Sequence, residues 1–183
     1  PIPAVRITEL QEVVDIVPDI GGYLGSLRER SCRLEEEKDA YARMSLMDSL
    51  TGIPNRRALD MRLADLAELR QAASLIMLDV DLFKIYNDTL GHQEGDACLH
   101  RVAQAMRDGL RGGDCEIFRY GGEEFAVVLG EVSPEHALHV AERLRQTVEQ
   151  LGILHPGSPA GHVTLSLGVA AVEVLTPETL PRL

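Results

Sequence analysis

No apolar run in this 183-residue chain approaches the roughly 20 residues that a membrane span requires, so no segment of it is expected to cross a bilayer. A signal-peptide pattern is also lacking, and the first residue is Pro1 rather than methionine, so a fragment of a longer protein is expected. Cysteine is scarce. Cys32, Cys98 and Cys115 are scattered without a CxxC pair, which argues against a zinc site or a disulfide framework and for a reduced, cytoplasmic setting. The six histidines form no HExxH-like spacing and are read mostly as surface or packing residues. Positive charge is in deficit, with 18 Lys and Arg against 29 Asp and Glu and a net charge of −11. That balance disfavours a non-specific nucleic-acid binder, whose affinity rests on cations neutralising phosphates. It leaves room for a nucleotide enzyme, because a bound metal inverts the field locally.

What is present is a soluble globular composition, 45% hydrophobic and 26% charged, sufficient for one domain and a short extension. Residues 24–47 are helix-compatible and heavily charged. Leu27, Leu34 and Tyr41 recur every seven residues, while the second apolar position of each heptad is mostly polar. The segment reads either as a solvated connecting helix or as a short signalling coiled coil that pairs two chains.

A breaker-rich turn (DSLTGIPN, 48–55) follows, then a helix carrying Leu59, Leu63 and Leu66 on one stripe. SLIMLDV (74–80) reads as a buried strand. After a polar stretch, Leu99, Val102, Ala103, Met106 and Leu110 mark a second amphipathic helix. Strand-like runs at 116–120 and 125–129 flank Gly121-Gly122-Glu123-Glu124, a hairpin signal because paired glycines accept positive φ. Ser133 and Pro134 open a third helix in cap and first-turn positions, Gly152 ends it, and 163–171 is a last strand. The class is α+β, a mixed sheet with helices packed on it.

Acid sits at the ends of the apolar strands. Asp79 and Asp81 are two apart, so on an extended chain they point the same way, and Glu123 and Glu124 lie at a tight turn. If the hairpin lies beside the first strand, these carboxylates converge without a matching cluster of Arg or Lys. Such a group repels itself unless protons or a cation intervene. Hard oxygen ligands with open positions suit Mg²⁺; simple solvation of turn acids is the plainer reading.

Four stretches in order carry a resemblance. RYGGEEF (119–125) resembles the signature of the GGDEF family of diguanylate cyclases. LDVDLFK (78–84), Asn87-Asp-Thr and GHQEGD (91–96) are similar to its second long motif, DSLTGIPNRR (48–57) to its opening and 163–170 to its late strand. The resemblance covers residues 46–183. It implies a ferredoxin-like palm domain, of the type found in nucleotide cyclases and polymerases, with residues 1–45 as linker and signalling helix.

The resemblance also implies an activity: condensation of two GTP molecules into cyclic di-GMP, with Mg²⁺, or Mn²⁺ as a substitute, in a homodimer. Asp79, Glu123 and the backbone carbonyl of Val80 are then the metal ligands. Glu124 is a general base or a second-metal ligand, and the roles of Glu123 and Glu124 are not separated. Lys84 neutralises phosphate charge, and the backbone around Leu82 and Phe83 cradles the β- and γ-phosphates. Asn87 and Asp96 match the guanine-reading pair, although Asp96 also reads as an N-cap before Ala97. His92 supports this loop or packs against it. Asp48, Asn55 and Arg57 are read as an ion-paired turn bracing the first helix.

Two departures accompany the resemblance. Arg111 and Asp114 resemble the RxxD product-inhibition site, with one extra residue before Gly121. Family members also continue beyond 176–180 into a helix and a strand carrying phosphate-contacting Lys and Arg. The domain is therefore expected to be C-terminally truncated, and a chain ending at Leu183 to bind GTP poorly. The alternative from another class is a non-catalytic GTP- or cyclic di-GMP-binding regulatory module; retention of all the signature carboxylates speaks for the enzyme.

Overall fold

A strand covered on both faces has no polar side, and that is why 74–80 reads as a continuous apolar run. The computed structural model describes residues 46–110 and 115–179, together with Arg28 and Arg30. The seven-residue repeat of the N-terminal segment, and Arg111 and Asp114, lie outside the described residues.

The elements in chain order are α1 (Arg56–Glu68), β1 (Ala73–Val80), α2 (Phe83–Leu90), α3 (His92–Gly109), β2 (Cys115–Gly121), β3 (Glu124–Gly130), α4 (Pro134–Glu149) and β4 (Leu165–Val172). The sheet order is β2-β3-β1-β4. All three pairings are antiparallel, where a mixed sheet was expected. The physical reason lies in the crossovers. The helical connections from β1 to β2 and from β3 to β4 each join parallel strands that are not adjacent, because one antiparallel strand is inserted between them. This is the split β-α-β arrangement of a ferredoxin-like α+β fold.

Alternation along the strands sorts the core into two layers. Ile76, Leu78, Val80, Phe125, Val127 and Leu129 face α3 and α4, meeting Leu99, Val102, Met106, Val140 and Leu144. On the other face Leu75, Ala126, Val128 and Phe118 meet Leu59, Leu66 and Ala67 of α1. By the same alternation Asp79 and Glu124 belong to the α1 face, at the end of the strands.

Helix ends follow the sequence where capping residues exist. Asn55 accepts the Ala58 N–H (3.2 Å) at the start of α1, and Ser133 accepts from His136 (3.2 Å) with Pro134 at the first position of α4. α2 was read only as a polar stretch. It starts without a capping side chain, on Leu82 in the left-handed conformation (φ 56°), so the usual start signal is missing. No helix among the described residues is long and apolar enough to cross a membrane.

The turn at 48–55 is clamped to the sheet, and the partner differs from expectation. Asp48 pairs with Arg119 of β2 (2.9 Å), while Arg57 is exposed. Asp48 also accepts from the Thr51 amide (2.8 Å) and hydroxyl (2.6 Å). Burial pushes the Asp48 carboxyl up, but the Thr51 and Arg119 bonds outweigh it and hold the group below its ordinary value of 3.8. A depressed carboxyl contributes stability that is complete above the unfolded value and lost as pH falls through the folded one. We therefore expect melting temperature to fall more steeply between about pH 5 and pH 3 in the wild type than in Asp48→Asn, which should cost roughly 1–2 kcal/mol at pH 7. Parallel pH profiles by thermal denaturation would contradict this role.

Candidate active site

A hairpin turn brings the signature acids to the end of β1. In the β2–β3 ladder Arg119 faces Phe125, but Gly121 faces Glu124, so Tyr120 is an extra bulged residue. That leaves Gly122 and Glu123 as a two-residue turn. Of the two glycines, Gly122 needs the left-handed region (φ 53°). Glu123 is thus in the turn and its side chain is not bound to the strand alternation.

Arg119 fixes this turn. Its Nε and Nη2 donate to the Gly122 carbonyl (3.0 and 2.8 Å) while Nη1 holds Asp48. A planar guanidinium suits such a fork, where a lysine would offer only a point charge. The neighbouring Arg56 lies over the Tyr120 ring at 4.3 Å. Sequence reading quoted Arg119 within the motif but gave it no task; its position one residue before the bulge is the signal that could have marked it.

Register then sets the carboxylates. Asp79 lies directly opposite Glu124 on β3. The Val80 N–H donates to the Glu123 carbonyl (3.4 Å), which makes Asp79 and Glu124 a non-hydrogen-bonded pair, the closer kind. In an antiparallel strand the N–H and carbonyl of one residue share an edge, so the Val80 carbonyl lies on the hairpin side.

Asp79 is exposed, yet burial of part of its carboxyl, then the charges of Glu123, Glu124 and Asp81, push its pKa up from 3.8. No cation figures among these causes. Asp81 contributes least because it does not point with Asp79 as expected. The strand ends at Val80, and the Asp81 carboxylate accepts from Thr164 (2.6 Å) and Ser166 (2.5 Å) toward β4.

The donor set fits a hard divalent cation. Among the described residues no three His, Cys, Asp or Glu side chains gather as a metal cluster. Mg²⁺ does not require three: one or two carboxylates, a carbonyl, waters and phosphate oxygens satisfy it. Asp79, Glu123 and Val80 supply that minimum.

The other expected residues cluster on α2 and α3. Leu82 is the left-handed N-cap of α2, and no side chain caps it, so the first amides, from Phe83 and Lys84, are left for another acceptor. Phe83 is buried and anchors the turn; Lys84 is exposed. Asn87 sits against Gly95, where an added Cβ would stand 1.8 Å from the Asn87 Oδ1. That oxygen is buried without a hydrogen-bond partner. Asp96 is adjacent and exposed. The capping reading of Asp96 is overturned, because α3 already begins at His92 with Gly91 as N-cap. His92 is exposed at the first position of α3.

Comparison with known proteins agrees with this geometry. The family described as diguanylate cyclase, GGDEF domain, matches residues 45–182. The chain belongs to the GGDEF family. It is 38% identical to diguanylate cyclase VdcA of Vibrio cholerae over 153 residues, 82% of this chain and 44% of that protein. Diguanylate cyclase A of Treponema denticola is 42% identical over 104 residues, 57% of this chain and 28% of the relative. The chain therefore spans less than half the length of these curated relatives. Among solved structures, diguanylate cyclase SiaD of Pseudomonas aeruginosa, in complex with its activator SiaC, aligns with TM-score 0.66 and 32% identity over 96% of this chain and 78% of that one. The coiled coil and GGDEF domain of DgcB from Caulobacter crescentus, in complex with c-di-GMP, aligns with TM-score 0.64 and 28% identity, covering 84% and 83%.

Because burial first and the neighbouring carboxylates second raise the Asp79 pKa, the penalty is absent below the unfolded value and grows as pH rises through the folded one. Asp79→Asn should raise the metal-free melting temperature by about 1–2 °C near pH 7.5, within the range of exposed substitutions. The gain should vanish near pH 4. Differential scanning calorimetry at both pH values checks this; a lower melting temperature at pH 7.5 would contradict the repulsion.

Proposed function

We propose that this domain is a magnesium-dependent diguanylate cyclase, condensing two GTP into cyclic di-GMP and two pyrophosphates. The observation that carries the reading is Asp79 standing opposite Glu124 at the end of β1, with the Val80 N–H on the Glu123 carbonyl, beside the uncapped start of α2. Asp79, Glu123 and the Val80 carbonyl would hold Mg²⁺, or Mn²⁺ in its place. When bound, the ion supplies Lewis-acid stabilisation of triphosphate charge.

The remaining work falls to the chain itself. Lys84 and the amides at the start of α2 take the β- and γ-phosphates, so the reacting α-phosphate lies toward Asp79. Asp96 accepts from guanine N1–H and the exocyclic amine, with Asn87 beside it. Adenine offers no such pair of donors, so ATP would leave Asp96 unpaired. His92 supports this loop. Glu124 accepts the proton of the attacking 3′-hydroxyl as that oxygen bonds to the α-phosphorus and the bond to pyrophosphate breaks.

One GTP per domain means each 3′-hydroxyl must attack the nucleotide of a second copy. Two domains therefore face each other about a two-fold axis, and a homodimer is part of the mechanism. The DgcB structure in complex with c-di-GMP supports a domain of this kind accommodating the product. The reading assigns the domain to the cytoplasm, where GTP is held. A regulatory module that binds GTP or cyclic di-GMP without turnover is the rival, and the retention of Asp79, Glu123 and Glu124 favours the enzyme.

The test is incubation of the intact protein with GTP and Mg²⁺, with cyclic di-GMP detected by mass. Asp79→Ala and Glu123→Ala should each lower the rate by about 100-fold or more with the fold intact by circular dichroism. In the same assay Asp96→Ala should narrow the preference for GTP over ATP by about tenfold. Near-wild-type turnover in both carboxylate variants would overturn the metal site, and an unchanged base preference would remove Asp96 from guanine reading.

A further inference from the structure

The carbonyl of Leu82 has two partners, and one of them comes from far along the chain. The first is the Tyr86 N–H of α2 itself (3.1 Å). The second is His155, 73 residues away, whose Nε2 lies 3.3 Å from the same oxygen. His155 is completely buried, one of three buried polar residues among those described. Its tautomer follows from its other nitrogen. The Gly157 N–H donates to Nδ1 (3.2 Å), so Nδ1 carries the lone pair and Nε2 carries the proton that Leu82 accepts.

The surroundings leave this ring no freedom. It meets Tyr86 edge-on with centroids 5.2 Å apart, and Tyr86 stacks on Phe83 at 5.9 Å. The loop that carries it is closed on itself: the His155 N–H donates to Gly161 (3.1 Å), the Ser158 N–H to His155 (3.0 Å) and the Val163 N–H to Ile153 (2.9 Å). Gly157 touches α2 so closely that an added Cβ would stand 2.4 Å from Ile85 Cγ2 and 3.4 Å from His155 Cε1. The loop is thus seated on the first turn of α2.

That first turn begins on a strained residue. Leu82 holds φ 56° and ψ 29°, a conformation that non-glycine residues keep only where the surroundings enforce it. We propose that His155 is a positioning residue for the substrate triphosphate. By donating to the Leu82 carbonyl it holds the left-handed turn, and so keeps the amides of Phe83 and Lys84 and the Lys84 ammonium in register with Asp79. Asn87, one turn further along α2, lies separately against Gly95. The latch therefore serves the phosphates more than the base. This inference rests on the proposed diguanylate cyclase reading.

The test measures binding by titration calorimetry in the intact protein with Mg²⁺, using 3′-deoxy-GTP, which has no attacking hydroxyl, and GMP, which has no β- or γ-phosphate. His155→Ala and Gly157→Ala should each weaken 3′-deoxy-GTP by about tenfold or more and GMP by less than about twofold. His155→Gln should recover most of the loss, since its amide can accept from Gly157 and donate to Leu82. If His155→Ala does not fold, the Gly157→Ala and His155→Gln arms decide. Equal losses for the two ligands, or unchanged 3′-deoxy-GTP affinity, would overturn the positioning role. Failure of the wild type to bind 3′-deoxy-GTP at all would instead overturn the cyclase reading on which it rests.

Discussion

Like charges held together at the end of a buried strand are the constraint on which the rest of this domain turns. Asp79 cannot move away from Glu124, because β1 is paired on both edges and its neighbours Leu78 and Val80 are locked in the core. Glu123 cannot move away either, because its carbonyl takes the Val80 N–H and the preceding carbonyl of Gly122 is gripped by Arg119. Packing thus fixes the backbone that carries these acids, while the Asp79 and Glu124 side chains face water. A site of that kind is ready for a cation that brings phosphate with it.

Arg119 connects this site to the opening motif. One guanidinium joins Asp48 of the 48–55 turn to the Gly122 carbonyl at the hairpin tip, and its own N–H donates to the Pro54 carbonyl (2.8 Å). The turn at 48–55 therefore braces the signature hairpin as well as the start of α1. On the opposite flank, His155 supports the start of α2. The proposed metal and phosphate regions are each fixed by a residue that would touch neither ligand. Such outer residues hold reacting groups to the tolerance that phosphoryl transfer demands.

Much of this was readable from the chain because burial and local chemistry agreed. β1 and β3 are covered on both faces and so appear as uninterrupted apolar runs, and Asn55, Ser133 and Pro134 announce their helices. The ordered motifs identified the family. What failed to show were features that depend on contacts distant in sequence. α2 lacks a capping residue and is entered through a left-handed Leu82, so its pattern of Phe83 and Tyr86 went unread as a helix. Asp81 was placed with Asp79 by strand alternation, but the strand stops at Val80 and two hydroxyls of the 164–166 segment draw the carboxylate away. Antiparallel pairing of every adjacent strand follows from insertion of β3 and β1 between parallel partners, which no local window contains. His155 carried no local mark of the partner that it finds, the Leu82 carbonyl.

The central claim, that the end of β1 holds an uncompensated cluster of like charges, is tested most directly by the titration of the Asp79 carboxyl itself. Site-resolved carbon NMR across the acid range, without metal, would follow it in the wild type and in Glu123→Gln. The account predicts that Asp79 titrates above 3.8 in the wild type and moves down toward that value when the Glu123 charge is removed. A wild-type Asp79 that titrates at or below 3.8, or one that is unmoved by Glu123→Gln, would contradict it.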